Sequence, residues 1–231
     1  MKTIGLIGGM SWESTAHYYR ILNETVKQQL GGLHSAKVVL VSVDFHEIEQ
    51  LQRAGDWDAA GELLSQAAQS LEKAGADFMV LCTNTMHKVA AALEAAVRIP
   101  LLHIADPTAQ SIRHAGLQTV GLLGTRFTME QDFYKHRLEE KHGLTVLTPH
   151  AADREDVHRI IYEELCLGVI QDNSRAIYRR VMANLVEQGA QAIILGCTEI
   201  TLLVGADDAS VPLFDTTYLH AHQAALHSLQ N

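Results

Sequence analysis

Ile193-Ile194-Leu195-Gly196-Cys197-Thr198 is the stretch that decides the fold of this chain, because its pattern occurs twice. Its counterpart is Met79-Val80-Leu81-Cys82-Thr83-Asn84, offset by 114 residues. Each is an apolar run of strand length that ends in small, polar residues suited to opening a helix. Working outward, Leu185-Val186-Glu187-Gln188-Gly189-Ala190 resembles Leu71-Glu72-Lys73-Ala74-Gly75-Ala76, again by 114 counted from the glycines. Val211-Pro212-Leu213-Phe214 matches Ile99-Pro100-Leu101-Leu102 at 112, and Val120-Gly121-Leu122-Leu123-Gly124 matches Ile4-Gly5-Leu6-Ile7-Gly8 at 116. Four matches in one order, with slowly drifting offsets, indicate an internal duplication rather than shared βα composition. The sequence therefore reads as two similar α/β halves, residues 1–115 and 116–231, with a last helix (Thr217–Gln230) that returns to pack on the first half.

Short β-rich runs alternate with helix-length periodic patterns throughout. Strands are predicted at Thr3–Ile7, Val38–Val43, Phe78–Leu81, Leu101–His103, Thr119–Leu123, Leu144–Leu147, Ala192–Leu195 and Pro212–Phe214. Helices are predicted, among others, at Ser14–Leu30, Asp58–Lys73, Glu130–Lys141 and Ser174–Gln188. Alternation of this kind implies parallel sheets covered by helices. Duplication of the unit implies a pseudo-two-fold arrangement with the active site in the cleft between the halves, where strand carboxyl ends and helix amino ends converge.

Composition narrows the function. Apolar residues make up 47% and charged residues 19% of 231 residues, as in an ordinary globular protein. A net charge of −9 disfavours nucleic acid and anionic membrane as partners, since both require clustered Lys and Arg. The apolar run Ile4–Ile7 is too short for a secretory signal or a membrane span, so a cytoplasmic protein is expected. Three cysteines (Cys82, Cys166, Cys197) without C-x-x-C spacing are expected to be free thiols. None of the thirteen histidines forms a ligand-type pair that repeats in the other half, so no metal is expected. Gly5-x-x-Gly8-Gly9 departs from the dinucleotide fingerprint, and no cofactor is expected either.

Cys197 follows an apolar strand and precedes a helical pattern. A thiol at a helix amino terminus is expected to have a lowered pKa and to be reactive. Under the 114-residue offset its partner is Thr83, whereas Cys82 aligns with Gly196. Adjacent strand residues face opposite sides, so Cys82 is expected in the core, with a local bulge as the alternative that would reverse this.

Taken together, Gly8-Gly9-Met10, Thr83-Asn84-Thr85-x-His87 and Gly196-Cys197-Thr198-Glu199 resemble the aspartate/glutamate racemase family, and the likeness runs the length of the chain. The resemblance implies a pyridoxal-independent amino-acid racemase acting on a small-molecule amino acid, and a homodimer. In such enzymes two cysteines flank the substrate α-carbon, one removing a proton and the other returning one to the opposite face. Racemisation needs acid/base groups on both sides of one carbon, which agrees with the duplication. This chain departs from the pattern at Thr83, whose hydroxyl can deliver a proton but is a poor group to remove one. Cys197 and Thr83 are therefore the expected catalytic pair, in an asymmetric enzyme that favours L to D.

By the same resemblance, Asn84, Thr85 and Thr198 would hold the α-carboxylate, with Thr125 as a further contact. Met10 would line the floor, and Glu199 would hold the ammonium group or simply favour its helix start. For the distal side chain, Gln52 and Arg53 are the candidates, and Cys166 stands where a lysine is expected. Gln52 suits a hydroxyl or amide as well as a carboxylate. The substrate range thus extends from aspartate and glutamate to neutral amino acids such as homoserine. Alternatives are a single-cysteine decarboxylase or maleate-type cis–trans isomerase of the same fold group, or a non-catalytic amino-acid-binding protein.

Overall fold

The structure, a computed structural model, describes residues 1–230. The chain forms two compact units: residues 1–104 together with the chain from His220, and residues 105–219.

In the first unit, β1 (Ile4–Gly8) leads into α1 (Trp12–Leu30), then β2 (Val38–Ser42), α2 (Phe45–Ala54), α3 (Trp57–Lys73) and β3 (Phe78–Leu81). A 3-10 turn (Thr85–Val89) runs into α4 (Ala90–Ala96), and β4 (Leu101–Leu102) completes a parallel sheet of order β2-β1-β3-β4. Every residue of β1 and β3 is buried, as expected for central strands of a sheet covered on both faces. Strand alternation divides them cleanly. Ile4, Leu6, Phe78, Val80 and Cys82 share one core with Tyr18, Ile21, Leu22 and Val26 of α1. Ile7, Met79 and Leu81 share the other with Leu64, Ala67, Ala68 and Leu71 of α3. Full burial of each large side chain contributes about 1.5–3 kcal/mol, so the two cores rather than any single contact hold the sheet.

The second unit begins with α5 (Ala105–His114), then β5 (Thr119–Gly124), α6 (Arg126–Glu130), α7 (Asp132–His136) and a π-helical segment (Arg137–Lys141). It continues through β6 (Thr145–Leu147), α8 (Ala151–Glu163), a 3-10 turn (Leu165–Leu167), α9 (Asp172–Glu187), β7 (Ala192–Gly196), α10 (Ile200–Leu203) and β8 (Leu213–Asp215). Its parallel sheet has the order β6-β5-β7-β8, the same topology as the first. Leu123, Ile193 and Leu195 pack with Val157, Ile160 and Ile161 of α8 and Tyr178, Val181, Met182 and Leu185 of α9.

The last helix, α11 (Thr216–Leu229), places Ala221, Ala224 and Ala225 in the core of the first unit, beside α1. Two differences from the sequence reading have local causes. The units divide at Ala105 rather than near residue 115, because α5 packs on β8 and the π-helical segment of the second unit. The helix predicted over Glu130–Lys141 is broken at Gln131, whose extended backbone (φ −95°, ψ 149°) ends α6 and starts α7. Among the described residues no helix is long and apolar enough to cross a membrane.

Candidate active site

A parallel sheet places its binding crevice at the carboxyl ends of the strands, where the chain order reverses direction. In the first unit that point lies between β1 and β3, and in the second between β5 and β7. The residues expected to act lie at these ends.

In the first unit, the Gly8-Gly9 pair lets the chain turn sharply after β1. Gly9 has φ +95°, and a Cβ there would lie 2.1 Å from the Val43 carbonyl oxygen, so only glycine fits. Its N–H donates to Thr15 Oγ1 (2.9 Å), which fixes the turn onto α1. Met10 follows, buried against the α3 core. Beyond β3, Thr83 is half-buried, while Asn84, Thr85 and His87 are buried. Gln52 lies on α2. It is buried, and its Nε2 lies 3.0 Å from Met86 Sδ in the segment after β3. Arg53 points away, exposed and paired with Glu49 at 2.6 Å.

The register of the sheets fixes the equivalence of Thr83 and Cys197. Leu81 pairs with Ile7 and Leu195 pairs with Leu123. Ile7 and Leu123 occupy the same place in the duplicated first strands, so the residue two beyond each pairing leucine is Thr83 in one unit and Cys197 in the other. Cys82 is fully buried among Ile4, Leu6 and Val80, and burial pushes its thiol far above the ordinary range. It is a core residue, and its burial disfavours the thiolate that a base requires.

In the second unit, Thr125 caps α6, its Oγ1 accepting from the Thr128 N–H at 3.3 Å. Gly124 and Gly196 end β5 and β7 side by side, and a Cβ on Gly196 would meet the Leu123 carbonyl oxygen at 2.8 Å. Cys197, Thr198 and Glu199 follow in a turn. The Cys197 thiol donates to Glu199 Oε2 at 3.0 Å, and the Thr198 hydroxyl donates to the same oxygen at 2.6 Å. Cys166 packs on the same core as Cys197, so no basic side chain stands at that position.

The electrostatics of Cys197 differ from the sequence expectation. Burial first, and then the adjacent Glu199 carboxylate, hold its thiol well above its ordinary pKa. The expected helix does not oppose this. α10 has four residues and begins three positions later, so it supplies little dipole to a thiol at residue 197. Glu199 is adjacent in the motif, but its hydrogen bond to the thiol is a property of the folded turn. His87 is the last residue of the Thr83-Asn84-Thr85-x-His87 motif. In the structure its ring Nδ1 lies 2.7 Å from the Thr83 carbonyl oxygen, an i, i+4 spacing that the sequence already contained.

Comparison with known proteins agrees with the fold. The crystal structure of an Asp/Glu racemase candidate from Yersinia pestis is 66% identical over the whole of both chains, with a TM-score of 0.94. That of an aspartate racemase homologue from Pyrococcus horikoshii is 34% identical, again over the whole of both chains, with a TM-score of 0.85. A broad specificity amino-acid racemase of Bacillus subtilis (strain 168) is 27% identical over 165 residues, covering 70% of this chain and 69% of its own. Residues 7–224 match the Asp/Glu/Hydantoin racemase family, and the chain belongs to it.

Proposed function

We propose that this protein is an amino-acid racemase that works without pyridoxal, with Cys197 and Thr83 acting on opposite faces of the substrate α-carbon. The observation that carries the reading is the register equivalence of Thr83 and Cys197 at the carboxyl ends of matching strands. Cys197 removes the α-proton of the L enantiomer and Thr83 returns a proton to the other face, drawing its replacement from water. The Cys197–Glu199 contact defines the resting state, in which the proton sits on sulfur. An amino-acid ammonium group held by Glu199 offsets the carboxylate charge that disfavours the thiolate. On substrate binding the thiol therefore releases its proton to solvent and becomes the base, and that proton balances the one Thr83 later draws from water. Asn84, Thr85, Thr125 and Thr198 supply hydroxyl, amide and backbone donors for the α-carboxylate.

At the distal side chain, Gln52 offers a buried amide while Arg53 is committed to Glu49. An amide accepts and donates, which suits hydroxyl and amide side chains as well as carboxylates. The proposed range is therefore broad, from aspartate and glutamate to neutral amino acids of similar length. The name of the Bacillus subtilis relative, a broad specificity racemase, supports the same range.

Thr83 makes the enzyme asymmetric. L and D enantiomers have equal free energies and share one transition state, so kcat/KM is the same in both directions. The asymmetry lies in saturated rates. In deuterium oxide at saturating substrate, the α-proton of the L enantiomer washes out faster than that of the D enantiomer. Equal saturated exchange rates would overturn the assignment of Thr83.

A further inference from the structure

We propose that His87 is a positioning residue for Thr83, holding the proton donor through its backbone carbonyl. The inference rests on the reading of Thr83 given above. Two contacts of the His87 ring define its state. The Ile104 N–H donates to Nε2 at 3.2 Å, so Nε2 carries the lone pair. Nδ1 therefore carries the hydrogen and donates it to the Thr83 carbonyl oxygen at 2.7 Å. The ring is 3% exposed, so water does not compete for either contact.

The rest of the first unit holds this ring in place. His103 lies against it with centroids 4.4 Å apart, and His220 of α11 meets it edge-on at 5.9 Å. His220 has the opposite tautomer. Its Nε2–H donates to the Leu102 carbonyl oxygen at 2.7 Å, and its Nδ1 accepts from the Tyr18 hydroxyl at 2.9 Å. The two imidazoles thus grip Leu102 and Ile104, on either side of His103, and His87 passes that restraint to the segment after β3.

Thr83 is the one half-buried residue between buried Cys82 and buried Asn84. Its own N–H is tied back to the Leu81 carbonyl oxygen at 2.8 Å. With both N–H and C=O fixed, the direction of Cα–Cβ is fixed, and a β-branched side chain then has few rotamers left. A proton donor aimed at one face of a carbon needs such restraint, since a displacement of about 1 Å costs on the order of a hundredfold in rate.

The test compares His87→Asn, His87→Gln and His87→Phe with wild type and Thr83→Ala, all checked for folding by circular dichroism. Asn places an amide N–H where Nδ1 stands, Gln places its polar end where Nε2 stands, and Phe keeps the ring volume with no donor. The probe is whichever of L-aspartate, L-glutamate and L-homoserine the wild-type enzyme turns over fastest, in deuterium oxide. The readout is α-deuteration of recovered L amino acid divided by D enantiomer formed. A misplaced donor lets the carbanion return to Cys197, so the ratio rises. The expected result is a rise of tenfold or more in His87→Gln and His87→Phe, and a value near wild type in His87→Asn. A wild-type ratio in whichever of Gln and Phe folds would overturn the proposal, as would an equal rise in all three variants, which would assign the effect to ring packing. Thr83→Ala separates the two levels. If it leaves D formation unchanged, the reading of Thr83 fails and takes this proposal with it; if it abolishes D formation while His87→Gln and His87→Phe do not raise the ratio, only the positioning role fails.

Discussion

At Cys197 two influences act against the thiolate, burial and the Glu199 carboxylate that accepts its proton in a hydrogen bond. The negative neighbour favours the protonated thiol, so replacing it by a neutral amide must lower the Cys197 pKa. In Glu199→Gln, alkylation of Cys197 by iodoacetamide is expected to be faster than in wild type at pH 8, while racemisation falls because the amide cannot offset an ammonium group. The wild-type alkylation rate should still be climbing above pH 9. Superimposable alkylation profiles would show that Glu199 does not control the thiol. The two other thiols give contrasting expectations. Cys197→Ser should lower racemisation by about a hundredfold to ten-thousandfold, the range for loss of a general base. Cys82→Ala should leave turnover within about twofold and cost about 1 kcal/mol of stability, as a small cavity in the α1 core does. A chiral assay with urea unfolding on the same preparations checks both.

At the scale of elements, one carboxylate ties the π-helical segment after α7 to α5. Asp106 of α5 accepts from Arg137 (2.7 and 2.8 Å), Lys141 (2.9 Å) and His142 (2.9 Å). Burial alone would raise the Asp106 carboxyl, but these hydrogen bonds outweigh it and hold it well below the usual carboxylate range. A depressed folded-state pKa means stability that is present above the unfolded value of about 3.9 and lost as pH falls through the folded one. Asp106→Asn should therefore cost about 2–3 kcal/mol at pH 7, and the gap from wild type should close only as pH drops below about 4. Urea unfolding at pH 7 and pH 3 measures this, and a gap that persists unchanged at pH 3 would exclude the network as its source. The elements themselves were unevenly legible in the sequence. The eight strands of the described residues could be read because each is an apolar run bounded by glycine, proline or polar residues, and the duplication aligned them. α2 is hard to read from sequence, since only Ile48 and Gln52 of its ten residues are buried and so narrow a stripe carries little periodicity. Its ends were nevertheless marked, by Asp44 capping the His46 N–H and by left-handed Gly55. The equivalence of Thr83 and Cys197 was legible as a pairing of positions. The electrostatics of the site were not, because a four-residue α10 and the return of Glu199 onto the thiol are properties of the folded turn.

For the molecule as a whole, the first unit is discontinuous in sequence, since it includes the chain from His220 onward. Three observations make that segment structural rather than ornamental. Ala221, Ala224 and Ala225 fill the layer beside Tyr18, Leu22 and Val26. His220 satisfies the buried Tyr18 hydroxyl and the Leu102 carbonyl. The Ser228 carbonyl accepts from the Lys2 N–H at 2.8 Å, joining the two ends of the chain. Deleting residues 220–231 would leave Tyr18 and Phe78 without part of their cover and the Tyr18 hydroxyl without this partner. Exposed aromatic area and lost hydrogen bonds together cost on the order of 4 kcal/mol, a large share of the roughly 5–15 kcal/mol that stabilises a domain. Both tryptophans, Trp12 and Trp57, belong to the first unit, so tryptophan fluorescence reports on it alone. The truncated protein should lose its cooperative fluorescence transition, or show it at much lower urea. Tyr134 and Tyr178 of the second unit, both fully buried, should keep a near-ultraviolet dichroism signal that melts separately. Adding the excised segment as a peptide should restore the fluorescence transition in proportion to its binding. A tryptophan transition unmoved by the deletion would mean that α1 and β1–β4 hold the first unit without α11.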